Sequence, residues 1–213
     1  MHLAEQQQGP KAAVPRIVDH AERRASIARS AALAIAELGL EQATMREIAA
    51  RSGVSKGIVE HYFANRDEVI ETALEWANAR YVARETRRTR GLQGMDALRE
   101  RLRCVLPLDA ESRQDWKIRL CVWSVAAVNA GARKAQRARL DRTRERFVAD
   151  LQAACALGQA PAGIDPVATA NELMHLVAGL ACDALLDPRY YDRPYLLGLI
   201  DTTINRLIGR SQP

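Results

Sequence analysis

Along most of the chain, apolar residues recur at helical spacing between short polar breaks that contain glycine, proline or capping residues. From about Glu22 to Leu38, for example, Ile27, Ala31, Ile35 and Leu38 fall on one face at a period of 3.6 residues. The same spacing recurs beyond this segment up to the last residues of the chain. The pattern predicts an all-α fold of about nine helices.

Residues 44–68 carry closely spaced signals for helix starts and stops. Thr44 and Glu47 form a capping-box pair, and Gly53 stands where the chain must turn sharply. Ser55 is the next capping residue, so a second short helix is expected from about Lys56 to Tyr62. Asn65 and Glu68 form a further capping pair. This is a helix-turn-helix pattern, with a predicted core of Ile27, Ile35, Leu38, Ile48, Val54, Val59 and Phe63.

The remaining apolar patterns predict six more helices. Their expected bounds are about 66–88, 96–107, 112–129, 133–157, 166–186 and 194–208. The helix over 112–129 is apolar nearly all round, which is typical of the middle of a domain. We therefore expect a flexible arm over residues 1–20, a helix-turn-helix DNA-binding domain over 21–66 and a second helical domain over 67–213.

Composition and charge add few constraints. The net charge of +5 and the pI near 9.3 suit a nucleic-acid binder, but residues 22–66 carry only seven Lys and Arg against five Asp and Glu. The arm contains no signal-peptide core, and the longest apolar run is too short to span a bilayer. The four widely spaced cysteines fit free thiols of a cytoplasmic protein, with a redox switch as the alternative. No metal-ligand spacing and no cofactor motif is evident.

The helix-turn-helix residues resemble the DNA-binding signature of the TetR family of bacterial transcriptional regulators. The resemblance rests on Gly53-Val54-Ser55-Lys56-Gly57, His61-Tyr62-Phe63 and Asn65-Arg66-Asp67-Glu68, and it covers about residues 24–70. Residues 57–63 look most like the choline-responsive BetI subgroup. One residue departs from the pattern, because many relatives carry a tyrosine that touches the DNA backbone where this chain has Glu60. A carboxylate there repels phosphate, so that contact is not expected.

The resemblance implies that the second short helix enters the major groove of an operator. The residue types at the matching positions suit this role, because hydroxyls and helix N-termini bind phosphate and basic side chains reach phosphates or guanine edges. Arg23 or Arg24 is expected to add a minor-groove or phosphate contact from the leading arm. The alternative for all these side chains is that they only cap helices or face solvent. The expected DNA-binding residues are Thr44, Arg46, Ser55, Lys56, Gly57, His61, Tyr62 and Arg66.

The resemblance also implies a homodimer paired through the last two helices, and an effector pocket in the middle of the chain. The expected pocket residues are Trp76, Trp116, Trp123, Asn129, Met174 and His175. Their aromatic rings would suit a cationic effector such as a quaternary ammonium, or a hydrophobic one. The alternative is that Trp123 and Met174 fill the core and that His175 is a satisfied core histidine.

The resulting hypothesis is a dimeric repressor of a palindromic operator. A small molecule bound between the helices over 66–88 and 112–129 would tilt the first of them and release the DNA. Two other classes stay open from the residues alone. A protein–protein adaptor would reuse the helix-turn-helix, and an all-helical enzyme would need catalytic groups that the sequence does not display.

Overall fold

The computed structural model describes residues 20–161 and 163–207, and this part of the chain forms nine α-helices and no strand. The all-α expectation is therefore confirmed. The helices are α1 (His20–Leu38), α2 (Met45–Ser52), α3 (Lys56–Tyr62), α4 (Arg66–Arg88), α5 (Gly94–Val105), α6 (Ala110–Val128), α7 (Ala130–Ala156), α8 (Pro166–Leu186) and α9 (Arg193–Leu207). The expected arm, except for His20, and the end of the last helix at Ile208 lie outside the described residues.

The short helices begin and end where the capping residues predict. The Thr44 hydroxyl accepts a hydrogen bond from the Glu47 N–H at 3.2 Å, and the Ser55 hydroxyl accepts one from the Ile58 N–H at 3.3 Å. Gly53 ends α2 with φ +66°, a left-handed conformation that glycine adopts at little cost. The capping box at Thr44 is only half formed, because the Glu47 carboxylate instead accepts a hydrogen bond from Arg51 Nε at 2.6 Å.

Several helix boundaries differ from the sequence expectation by one to three residues. Helix α5 begins at Gly94 rather than Asp96, since Gln159 Oε1 accepts the Met95 N–H at 2.9 Å and supplies the missing cap from another part of the chain. Helices α6 and α7 are separated by Asn129 alone, where a longer break was expected. The Asn129 side chain accepts the Ala132 N–H at 2.9 Å, so one residue caps α7 directly after α6 ends.

The buried apolar side chains form two clusters. One joins α1, α2 and α3 with the first half of α4 and with Ile118 and Val122 of α6. The other fills the space among α4, α5, α6, α7, α8 and α9. Of the core residues expected for the helix-turn-helix, Leu38 is only partly buried, and Val54 packs on the edge of the first cluster. Helices α4 and α6 contribute to both clusters and therefore connect the two parts of the molecule.

A buried ionic cluster links three helices of the larger part. The Glu85 carboxylate, 1% exposed, lies 2.9 Å from Arg146 Nε and 3.3 Å from Arg101 Nη1, and it accepts a hydrogen bond from the Tyr81 hydroxyl at 2.8 Å. Arg101 also donates to Asp150 at 2.6 Å. Buried charges persist when they are paired in this way, so the cluster fixes α4, α5 and α7 relative to one another.

Candidate DNA interface and ligand cavity

The outer face of α3 is a short exposed surface. Val59 points into the core and anchors the helix, while Ser55, Lys56, Gly57 and His61 are exposed. Because α3 is only seven residues long, this surface contains few side chains that can reach a groove. Ser55 has its hydroxyl on the Ile58 N–H, so it serves as a helix cap and faces solvent at the same time.

Thr44 and Arg46 lie at the start of α2 and are both exposed. The Thr44 hydroxyl caps the helix by accepting the Glu47 N–H, and the first N–H groups of any α-helix have no partner within the helix itself. Anions are stabilised at such helix starts. This end of α2 therefore offers a phosphate-binding surface beside the exposed face of α3.

Lys56 is not a free cation in this structure. Its Nζ lies 2.6 Å from Glu60 Oε1, one helical turn further along α3, and the two side chains are 55% and 49% exposed. Glu60 thus competes with any phosphate for the same ammonium group. The acidic residue that departs from the family pattern acts directly on one of the expected DNA contacts.

Two of the expected contact residues also have structural roles. Arg66 donates hydrogen bonds to the carbonyl oxygens of Leu40 and Ala43, the latter at 3.4 Å, and so ties the loop before α2 to α4. The Tyr62 ring packs against His20 with the ring centroids 4.4 Å apart. Both side chains remain partly exposed. The expected role in DNA contact would therefore come in addition to a role in holding the helices together.

Arg24 lies on the inner side of the same region. It donates to the Tyr62 carbonyl and to Glu68 Oε1, the latter at 2.6 Å, and its guanidinium stacks 4.3 Å above the Phe63 ring. The hydrogen bond from Arg24 lowers the pKa of Glu68. Arg24 therefore fastens α1 to α3 and α4, a role that its position in the sequence did not reveal.

A cavity of about 520 Å³ lies among α4, α6, α7 and α8, with Val105 of α5 also on its wall. This volume is within the usual range for small-molecule sites. Four of the six expected pocket residues border it, namely Trp116, Trp123, Met174 and His175. His175 is exposed. The expectation of a satisfied core histidine is therefore wrong, because His175 faces outwards on α8 although its sequence neighbours are apolar.

The other two expected pocket residues lie elsewhere. Trp76 packs against the cluster around the helix-turn-helix, and Arg80 stacks 4.7 Å above its ring. Asn129 is exposed and caps α7. Neither side chain borders the cavity.

Arginines dominate the charge of the cavity wall. The wall includes Arg119, Arg133, Arg139 and Arg144 but one acidic residue, Asp115, among the residues that the structure describes. Asp115 is already paired with Arg80 and with Arg84, the latter at 2.9 Å. Arg119 stacks 4.4 Å above the Trp116 ring and 5.5 Å above the Tyr81 ring. The guanidinium of Arg119 therefore already lies against two aromatic rings of this wall.

Helix α6 connects the cavity to the helix-turn-helix. Ile118 and Val122 border the cavity, and the same two side chains belong to the cluster that holds α1, α2 and α3. Ala77 of α4 has the same double position. A molecule that occupies the cavity would therefore press on residues that also support the DNA-facing helices.

The described residues contain no cluster of side chains suited to holding a metal ion. The four cysteines are free, and Cys104 is buried. No helix in the described ranges combines the length and the apolar character needed to cross a bilayer.

Two family models match the chain. The model of bacterial regulatory proteins of the tetR family matches residues 27–73, and the model of the C-terminal part of BetI-type transcriptional repressors matches residues 94–209. The second match alone covers more than half of the 213 residues. Both models describe regulators rather than enzymes, in agreement with the expectation from the sequence.

Individual relatives agree with these matches. The chain is 32% identical over 122 residues to the HTH-type transcriptional regulator BetI 1 of Chromohalobacter salexigens, a match that spans 54% of this chain and 58% of that protein. The crystal structure of a transcriptional regulator from Rhodococcus sp. Rha1 aligns with a TM-score of 0.77 and 29% identity over 89% of this chain and 99% of that one. A regulator from Saccharomonospora viridis in complex with choline aligns with a TM-score of 0.83 over 88% of this chain and 98% of that one. Its identity of 20% supports similarity of fold alone.

Proposed function

Because the chain belongs to the TetR family of transcriptional regulators, with a BetI-type C-terminal part, we propose that it is a ligand-responsive repressor that binds a palindromic operator as a homodimer. The observation that carries the proposal is the double position of Ile118 and Val122, which border the cavity and also support the helix-turn-helix. A DNA-facing unit and a ligand-sized cavity thus share the same side chains. The partner DNA also implies a location in the cytoplasm.

We assign DNA contact to the exposed residues around α2 and α3. Arg46 and His61 are exposed and can reach bases or phosphates, and Lys56 can do so once it leaves Glu60. Thr44 and Ser55 offer helix N-termini to phosphate. Gly57 lets the backbone approach the groove closely, since its missing Cβ would point to open space with only Ser55 Oγ nearby at 3.9 Å. Tyr62 and Arg66 are proposed to orient the helices and to touch the backbone of the DNA.

Helices α8 and α9 are the proposed dimer surface. Along α8, Glu172, His175 and Gly179 are exposed at helical spacing, and Leu186 at its end is 84% exposed. Gly198 is exposed on α9. Small residues at such positions let two helices approach closely, and a two-fold pair doubles the few contacts that each α3 can make.

The proposed switch is a shift of α4 and α6. Ligand in the cavity would push Ala77, Ile118 and Val122. Only Phe63, Ala64 and Asn65 separate α4 from α3, so a movement of α4 is passed to α3. The two recognition helices of a dimer must lie about 34 Å apart to read successive major grooves. A tilt that changes this spacing weakens operator binding, provided that the ligand binds the two states unequally.

Substitution of one lysine tests the DNA interface. Lys56→Ala should weaken operator binding, and the slope of log K against log salt should become shallower by about two for the dimer, one phosphate contact in each protomer. Lys117→Ala is the matched control, because Lys117 is an exposed lysine on α6 outside the proposed interface. Equal effects of the two substitutions, or binding that does not depend on salt, would favour a protein–protein adaptor instead.

A further inference from the structure

The charged groups around the cavity differ in how well they are already paired. Arg133 donates to the carbonyl oxygens of Ala126 and Ala127 at 3.1 and 2.7 Å, and so closes the end of α6. Arg144 donates to Asn171 at 2.8 Å and to Asp141 at 2.6 Å. These two guanidinium groups, like Asp115, have partners within the protein.

Arg119 has no such partner, and of the two wall arginines without one, Arg119 and Arg139, it is the one in contact with aromatic rings. Among the described residues, no carboxylate or other acceptor lies within hydrogen-bonding distance of its guanidinium, whose contacts are the faces of Trp116 and Tyr81. The side chain lies deep in the helical body and keeps partial exposure at the cavity wall. Burial lowers the pKa of Arg119, yet an arginine stays charged in proteins. A partly desolvated cation without a protein acceptor is stabilised when an anion pairs with it.

The contacts of Arg119 with aromatic rings leave its N–H groups available as hydrogen-bond donors. The guanidinium carbon lies 4.4 Å from the Trp116 ring centroid and 5.5 Å from the Tyr81 ring centroid, and the N–H groups at the guanidinium edge have no acceptor in the described part of the chain. This edge matches the two oxygens of a carboxylate, which arginine binds in a bidentate way. Because two rings already contact the Arg119 guanidinium, less side-chain freedom remains to be lost when an anion binds.

A second unpaired donor belongs to the same wall. The indole Nε1 of Trp123 is buried and has no hydrogen-bond acceptor, whereas Nε1 of Trp116 donates to the Val105 carbonyl at 2.5 Å. Buried donors are nearly always satisfied in folded proteins. Trp123 and Arg119 therefore both lack an acceptor in the ligand-free protein.

Most of the rest of the wall is apolar. Leu74, Val122, Leu140, Phe147 and Val177 all border the cavity. At about 30 Å³ for each non-hydrogen atom, the share of volume of a liquid water molecule, 520 Å³ holds a ligand of on the order of 15 such atoms. The site combines a cationic end with a large apolar volume.

We propose that the cavity binds an organic carboxylate with an apolar body, and that Arg119 is the residue that pairs with the carboxylate. The inference rests on the proposed function, since it names the chemical class of the effector of that same cavity. A cation such as choline fits poorly, because it would meet several guanidinium groups and would have to displace Arg119 from the Trp116 face.

Three probes with the same alkyl chain and different headgroups test which headgroup the cavity prefers. They are decanoate, decanol and decyltrimethylammonium. Binding to the purified full chain is followed by calorimetry and by the fluorescence of Trp116 and Trp123, without DNA, so the result does not depend on operator binding. Arg119→Gln removes the charge and keeps the length of the side chain. Lys117→Gln removes an exposed charge two residues away on α6 and is the matched control.

Decanoate should bind the natural protein and the Lys117→Gln variant more tightly than either other probe. Arg119→Gln should weaken the binding of decanoate at least about tenfold, the effect of losing a charge-assisted hydrogen bond. The affinity for decanol should change by less than about threefold. The thermal unfolding temperature of ligand-free Arg119→Gln should be unchanged or raised, since the removed guanidinium is partly desolvated and has no acceptor in the protein.

Tighter binding of the ammonium probe than of decanoate would overturn the assignment, as would no decanoate binding at millimolar concentration. Equal decanoate affinity in the natural protein and in Arg119→Gln would also overturn it. A lower unfolding temperature of Arg119→Gln with unchanged preference among headgroups would mean that Arg119 only ties α6 to α4. Failure of operator binding in a separate assay would contradict the proposed function and leave the headgroup result as it stands.

Discussion

Removal of the Glu60 carboxylate should strengthen DNA binding. Glu60 lies on the exposed face of α3, and its Oε1 is 2.6 Å from Lys56 Nζ. The substitution Glu60→Gln keeps the size of the side chain and removes its charge. It therefore frees Lys56 for phosphate and removes a negative charge from the surface that would face DNA.

The size of the effect follows from the exposure of the pair. An exposed ion pair one helical turn apart contributes about 0.3–0.5 kcal/mol. Each protomer loses this contribution when Lys56 leaves Glu60 to contact a DNA phosphate. A carboxylate about 7 Å from a phosphate in water adds a repulsion of about 0.6 kcal/mol, and salt reduces this to roughly 0.2–0.3 kcal/mol. For a dimer the sum is about 1–1.5 kcal/mol, so Glu60→Gln should bind the operator about five- to tenfold more tightly.

Fluorescence anisotropy with a labelled operator, at several salt concentrations, measures this gain. Glu75→Gln removes an exposed charge from α4 outside the proposed interface and should leave affinity unchanged. In the Lys56→Ala background, Glu60→Gln should gain less, because only the repulsion remains. Unchanged or weaker operator binding by Glu60→Gln would refute the placement of α3 against DNA.

Three further outcomes are expected. Glu85→Ala should lower the free energy of unfolding by about 3 kcal/mol in urea titrations, because Arg146 loses its buried carboxylate and Arg101 keeps only Asp150. Glu111→Ala, at a half-exposed carboxylate, should cost less than about 1 kcal/mol. Gly57→Ala should raise the free energy of unfolding by up to about 1 kcal/mol in the same titrations, since alanine favours helix. The added methyl group should nevertheless weaken operator binding. A gain in DNA affinity would count against a close approach of α3 to the DNA. Burial raises the pKa of the Cys104 thiol, so mass spectrometry after thiol labelling should find Cys104 modified only on unfolding; rapid labelling in the native protein would reopen the redox alternative.

Local signals account for what the sequence predicted well. Thr44, Ser55 and Asn65 cap helices through backbone groups within three residues of themselves, so their roles are visible in a short window of sequence. The glycine turn at Gly53 has the same local origin. The family resemblance lies in this segment for the same reason, since its motif is a run of neighbouring residues.

Contacts between distant residues account for what the sequence did not predict. Glu85 meets Arg101 and Arg146 only after α4, α5 and α7 have packed, and no pattern within one helix indicates that these charges are buried. Trp76 and Asn129 do not border the cavity, because periodicity gives the apolar face of a helix but not the neighbour that covers it. The role of Arg119 likewise depends on two rings from different helices.

The central claim is that two copies of this chain read a palindromic DNA site through α3. Selection of bound sequences from a random DNA library, followed by footprinting and measurement of the mass of the complex, tests it most directly. The account predicts an enriched palindrome with half-sites about one helical turn, roughly 10 base pairs, apart and two protomers on each site. Retained DNA without an enriched sequence, or one protomer on a single half-site, would contradict it.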